Sequence, residues 1–157
     1  MNTQDVQNAE KIADLTFTMV VLCQEKEMRM SEEFGISQSE FRTIRLFKGE
    51  QHISQKVLNK RLGLSGSRLT RILDQLQERG YITRKEDPSD RREFVVSLTP
   101  TGMDIAGRLQ QRHVEIHAEI LEGIPQEMHA HLGEGLDKMS VAVQDWLSSH
   151  KPKLPAS

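Results

Sequence analysis

A second cysteine is missing from this chain. Cys23 stands alone among 157 residues, so no intrachain disulfide can form. Long hydrophobic runs are missing too. The longest, Phe17 to Cys23, is far too short to span a membrane. It has no basic lead and no small-residue cleavage site, so it does not read as a signal peptide. The cytoplasm is the expected location. Internal repeats and low-complexity linkers are absent. So are the glycine-rich phosphate loop, the nucleophile elbow and HExxH. Acidic pairs such as Glu32-Glu33 are adjacent on a helix and point apart. Neither an enzyme nor a cofactor is expected.

What is present is a chain long enough for one domain with a real core. Its 36% apolar and 28% charged residues are an ordinary balance for a soluble protein. The net charge of −2 hides an uneven distribution. Residues 41–92 hold 13 Lys/Arg against 6 Asp/Glu, whereas the remainder holds 8 against 17. A basic middle between acidic ends suits a polyanion-binding face on an acidic body.

Periodicity and punctuation predict six helices and one hairpin, between loose first residues and a loose tail, Lys151–Ser157. Ile12, Leu15, Met19 and Leu22 recur at helical spacing in a helix from about Gln4 to Phe34, ended by Gly35. Ser37 caps the second helix, with Glu40 completing a capping box; Phe41, Ile44 and Leu46-Phe47 are its core side, and Gly49 its stop. Ser54 opens the third, which contains Val57, Leu58 and Leu62 and closes at Gly63. Ser65 or Ser67 caps the fourth, whose Leu69, Ile72, Leu73 and Leu76 face the core and whose Gly80 is the C′ residue. Thr99 and Pro100 open the fifth, which runs to about Glu122 before Gly123 and Pro125; the sixth covers about Gln126 to Ser148.

Between the fourth and fifth helices stand two β-prone runs, Tyr81–Arg84 and Glu93–Leu98. The charged turn Asp87-Pro88-Ser89-Asp90-Arg91-Arg92 joins them. The short, glycine-containing link Leu62-Gly63-Leu64-Ser65 suits a helix-turn-helix corner. Helix, strand, basic turn, strand, helix is the order of a winged helix-turn-helix. That fold lays a helix in the major groove and a basic hairpin beside it.

On these segments the chain resembles the MarR family, the multiple-antibiotic-resistance type of bacterial winged-helix repressor. The resemblance spans roughly residues 5–148. Its most specific element is Asp87–Arg92 followed by Leu98-Thr99 and Gly102. It implies a mainly α fold with a small β-hairpin wing, in one domain over 1–157. About 37–98 would be the DNA-binding lobe, and about 5–34 and 100–148 the dimerisation helices of an obligate homodimer. It also implies a small-molecule or metal signal read between lobe and dimer part. The long first and last helices carry apolar stripes that need a partner, which fits a dimer.

Ser65, Ser67, Arg68, Thr70 and Arg71 fall in the first turns of the fourth helix, which approach base edges in a helix-turn-helix. Arginine bonds guanine in a bidentate way, and hydroxyls reach phosphates or bases. The alternative is a solvated face of an amphipathic helix. By analogy with the family, the Asp90-Arg91 pair stiffens the wing and Arg92 reaches the minor groove, with the choice of Arg91 or Arg92 as the inward residue left open. The alternative there is an ordinary charged turn with Pro88 at its second position. Lys56, Lys60, Arg61, Arg84 and Lys85 are phosphate contacts or plain surface. The operator is expected to be a pseudo-palindromic duplex.

For the signal, three readings stay open. Arg42 and Arg45 on the second helix, with His113 on the fifth, can meet an amphipathic anion. His113 and His117 share a helical face at zinc-ligand spacing, with Cys23, Glu27 and Glu40 as helpers. Yet the second helix lacks the histidine that the zinc-sensing relatives place there, and His113 can equally be a core residue. Cys23 can be an oxidant sensor or a small core residue, and its acidic neighbours Glu25 and Glu27 are not the basic setting that a reactive thiol needs. His129 and His131 read as surface. A winged helix that binds protein partners remains the rival class, and the basic excess argues against it.

Overall fold

The structure is a computed structural model and describes residues 2–90 and 93–150. Arg91, Arg92 and the tail 151–157 lie outside the described residues, as do the expectations placed on them.

Helix α1 (Thr3–Glu33) starts and ends within one residue of the expected Gln4 and Phe34. Asn2 sets the start. Its side chain accepts from the Asp5 amide at 2.8 Å, and the Asp5 carboxylate accepts from the Asn2 amide at 3.3 Å. This reciprocal capping box satisfies two end donors, so the first residues are helical and not loose. Helix α2 (Gln38–Arg45) carries the predicted box between Ser37 and Glu40, at 3.2 and 2.7 Å. It ends before Leu46-Phe47. There the amides of Leu46, Phe47 and Lys48 bond three residues back, tightening the last turn. Phe47 is still buried from that turn.

The sequence does not announce the next element. Strand β1 (His52–Ser54) pairs antiparallel with a later strand, Ile53 opposite Val96. Three residues with one apolar side chain give no local signal; the distant partner makes the strand. Ser54 then caps α3 (Gln55–Leu62), accepting from the Val57 amide at 3.2 Å. Leu58 is fully buried, whereas Val57 is exposed and not core. Gly63 takes the left-handed conformation that ends the helix. Helix α4 (Gly66–Glu78) buries Leu69, Ile72, Leu73 and Leu76 as the periodicity predicts.

Strands β2 (Ile82–Glu86) and β3 (Phe94–Leu98) form the wing hairpin, Ile82 opposite Leu98 and Glu86 opposite Phe94. The sheet order is β1-β3-β2, so the hairpin belongs to a three-stranded antiparallel sheet. Helices α5 (Pro100–Glu122) and α6 (Gln126–Ser149) complete the chain. Thr99 staples the start of α5 to the end of α4. Its hydroxyl accepts from the Gly102 amide at 3.0 Å and donates to the Gly80 carbonyl at 2.6 Å. Its amide donates to the Tyr81 carbonyl at 3.0 Å.

Two compact units result, residues 1–110 and 111–157. Every fully buried apolar side chain among the described residues lies between Met30 and Leu109, in the first unit. Phe41, Leu58, Leu73, Leu76 and Val96 are its centre. In the second unit α6 buries nothing, and Met128, Leu136, Trp146 and Leu147 are more than half exposed. His129 is not the surface residue that its spacing suggests. It is half-buried, and its Nε2 bonds the Leu121 and Ile124 carbonyls at 3.1 and 2.9 Å, at the end of α5.

Candidate nucleic-acid interface

Helix α4 has two faces with different work. The buried leucines and Ile72 fix one against the core. The other presents Ser67, Arg68, Thr70 and Arg71 to solvent. Arg68 and Arg71 have no side-chain partner among the described residues, so both guanidinium groups stand available to a ligand. Thr70 returns its hydroxyl to the Gly66 carbonyl at 3.0 Å. Ser65 is the N-cap by position but makes no capping bond; its hydroxyl lies 3.4 Å from that of Ser67. The first amides of α4 therefore lack the usual side-chain acceptor, a setting in which an anion is favourable.

The basic residues around α4 divide. Lys56 and Lys60 are exposed on α3. Arg61 is engaged: its Nη1 donates to the Leu46 carbonyl at 3.2 Å and sits 3.8 Å from Glu50. It covers a carbonyl at the end of α2, as cations at helix C-termini do. Arg84 is no plain surface residue either. It turns onto α4 and bonds Asp74 and Gln77. Neither role has a local sequence signature, because each partner lies seven or more positions away.

At the wing, Asp87 organises the turn. Its carboxylate accepts from the Ser89 hydroxyl at 2.6 Å and the Ser89 amide at 2.8 Å. Those bonds, the hydroxyl first, hold its pKa below the ordinary carboxylate value. The Asp90 amide returns to the Asp87 carbonyl at 3.2 Å, so Pro88 does occupy the second position of a turn. The Glu93 amide bonds the Asp90 carbonyl at 2.9 Å. Arg91 and Arg92, the other wing residues singled out, lie outside the described residues.

The residues singled out for sensing fall in both compact units, Cys23, Arg42 and Arg45 in the first and His113 and His117 in the second. Arg42 pairs with Glu27 of α1 at 2.7 Å. Arg45 is half-buried over the Phe41 ring at 5.8 Å, and burial lowers its pKa while Glu27 opposes that shift. A cavity of about 690 Å³ lies between the end of α2, the turn 46–51 and the first half of α5. Arg45, Lys48, Glu50, Met103 and Gln110 are among its lining; Arg42 and His113 are not. His113 and His117 belong to the second unit, their rings 4.2 Å apart and His117 Nδ1 2.7 Å from the His113 carbonyl. Cys23 is half-buried on α1. The helpers named for zinc have other partners, Glu27 with Arg42 and Glu40 with Ser37 and Arg79. Among the described residues no group of three candidate ligands comes together.

Comparison with known proteins agrees with this geometry. Residues 34–93 match the MarR family. A transcriptional regulator of the helix-turn-helix type from Bacillus subtilis, YkoM, is 25% identical over 148 residues, covering 93% of this chain and 95% of that protein. Among solved structures, Streptococcus pneumoniae FabT in complex with DNA superposes with a TM-score of 0.69 at 26% identity, over 90% of this chain and 99% of that one. Staphylococcus aureus MepR, also a DNA complex, gives 0.69 at 19% identity over 84% and 97%. Residues 34–93 thus carry the MarR-family match, and the chain shares the winged-helix, DNA-binding fold of solved transcriptional regulators. Among the described residues no helix is long and apolar enough to cross a membrane.

Proposed function

We propose that the chain acts as a homodimer, binding a pseudo-palindromic operator as a repressor that an amphipathic organic anion releases. The observation that carries the DNA half is the face of α4. Its back is locked into the core, while Arg68 and Arg71 stand exposed beside Ser67 and Thr70. Two relatives of the same fold, FabT and MepR, are known as DNA complexes. Lys56 and Lys60 supply sequence-blind phosphate contacts, and Ser65, Asp90, Arg91 and Arg92 are assigned to the DNA contact with them. Arg61 contributes from within, by holding the end of α2. The exposed apolar residues of α1 and α6 favour a second copy of this chain as their cover. The cavity beside Arg45 supports an anionic effector with an apolar body. The domain division follows: the winged lobe reads DNA, and the helices outside it associate.

The test begins with duplexes selected from a random pool. Selected sites should be dyad-symmetric, with half-site centres about 10 bp apart. Arg71→Ala should relax base preference, whereas Lys60→Ala should weaken all sequences alike and lower the salt slope by about 1. If both variants lose only sequence-blind affinity, α4 is not the reader. Salicylate-like acids, zinc with a chelator and peroxide, each applied to one operator complex, then decide between the Arg45 cavity, the His113–His117 pair and Cys23.

A further inference from the structure

The second residue of the strand's inner face joins the two elements that the DNA reading needs. On β2, Ile82 is fully buried, Thr83 and Lys85 are exposed, and Arg84 is half-buried with a side-chain exposure of 23%. Alternation along the strand therefore puts Arg84 on the face with Ile82. Its guanidinium reaches α4 and makes two bonds at once, Nε to Gln77 Oε1 at 2.9 Å and Nη2 to Asp74 Oδ1 at 2.5 Å. Asp74 and Gln77 are three apart, so they are neighbours on one helical face. A planar fork holding two successive positions fixes both the rotation of the helix and its height against the strand. A lysine, with one compact ammonium, cannot do this.

The position of this clasp gives it its significance. Asp74 is one turn beyond Arg71, about 4.5 Å along the helix axis. Asp87, which starts the wing turn, is three strand residues beyond Arg84, about 10 Å. The clasp thus stands between the base-facing turns of α4 and the wing turn. Its partner is also an anion, Asp74, on a helix that should approach phosphate. An unmatched carboxylate there would oppose binding.

We propose that Arg84 is a positioning residue that sets the spacing of recognition helix and wing, so that both meet DNA in one register. It does so without touching DNA, and it rests on the DNA-binding reading above. Simple electrostatics makes the opposite forecast for one variant, which makes the idea testable.

Asp74→Ala removes a negative charge near the polyanion. If charge alone matters, affinity for the selected operator should rise. If the clasp matters, affinity should fall, by about fivefold to tenfold. Arg84→Lys separates the roles further. A phosphate contact would survive that change, whereas the clasp is lost, so operator affinity should drop with the salt slope unchanged. Hydroxyl-radical footprints of both variants should keep protection at the centre of each half-site and lose it at the wing flank. Each variant must first show wild-type helix content and melting behaviour. Arg84→Gln then repeats the comparison should Arg84→Lys melt early. Tighter binding by Asp74→Ala, full binding by Arg84→Lys, or a salt slope reduced by about 1 in Arg84→Gln would overturn the proposal. Absence of salt-dependent duplex binding by the wild-type chain would instead remove the DNA reading itself, and the clasp's role with it.

Discussion

Gly102→Ala puts the junction of α4, β2 and α5 to a quantitative test. Gly102 lies in the first turn of α5, where alanine would ordinarily favour the helix by about 1 kcal/mol. Here the added Cβ would stand 1.9 Å from the Tyr81 carbonyl oxygen, 2.8 Å from its carbon and 3.3 Å from Leu98 Cδ2. The obstacle is backbone, and it is held. That oxygen accepts from the Thr99 amide at 3.0 Å, and the Tyr81 amide is itself bonded to the Leu76 carbonyl at 3.0 Å, in the turn that ends α4. Relief requires a shift of more than 1 Å between the start of α5 and the end of α4, by the ordinary range of van der Waals contact. The shift breaks the Thr99–Tyr81 bond, a net loss of about 1 kcal/mol. It also forces repacking around Leu98 at about 1–3 kcal/mol. Set against the helix gain, the expected net loss is about 1–3 kcal/mol, or roughly 2–10 °C in Tm at fixed protein concentration.

The control is Gly107→Ala on the same helix. Its new Cβ meets nothing within 4 Å, so the helix-propensity gain stands alone. Thermal melts of the two variants should therefore move in opposite directions. A Gly102→Ala protein that melts at or above wild type would refute the close-contact argument outright.

Two further outcomes follow from single side chains. The Asp87 carboxyl is held below its ordinary pKa by Ser89, so the order it gives the turn is complete above the unfolded carboxylate value of about 4 and is lost as pH falls through its lower folded value; the Ser89 amide resonance should move only below that unfolded value, and Asp87→Asn should abolish that movement, a flat titration in the wild type being the contrary result. His129→Leu removes the donor shared by the Leu121 and Ile124 carbonyls, which should cost about 1–2 kcal/mol and speed amide exchange in the last turn of α5, whereas unchanged exchange would show that water replaces the ring without loss.

Where chemistry is local, the sequence was readable. The Ser37–Glu40 box, the Ser54 cap, Gly80 at the end of α4, and the four buried positions of α4 all follow from spacing and residue type. So does the order that announces a winged helix. What escaped is what distant partners make. β1 exists because β3 accepts it, and Arg61 and Arg84 look like surface cations until the fold supplies the Leu46 carbonyl, Asp74 and Gln77. His129 failed for a related reason: its two acceptors are carbonyls at a helix end, and these carry no side-chain signature. The Asn2–Asp5 box is local, and the helix start expected at about Gln4 falls within one residue of it.

The distribution of buried side chains limits how such a chain can work. The unit 1–110 holds the buried apolar core that α4 and the wing strands contribute to, through Leu69, Leu73, Leu76, Ile82, Val96 and Leu98. The unit 111–157 buries no apolar side chain among its described residues, and an isolated pair of helices without a core is marginal in water. Val114, Ile120, Leu132, Leu136, Val143 and Leu147 are exposed apolar residues of the kind that favour cover. If that cover is a second copy, the contact that orders α6 also fixes the separation of the two α4 helices. Folding of the terminal helices, association and operator spacing then become linked equilibria. A ligand that alters any one of them alters DNA affinity, without having to reach the base-facing side chains of α4.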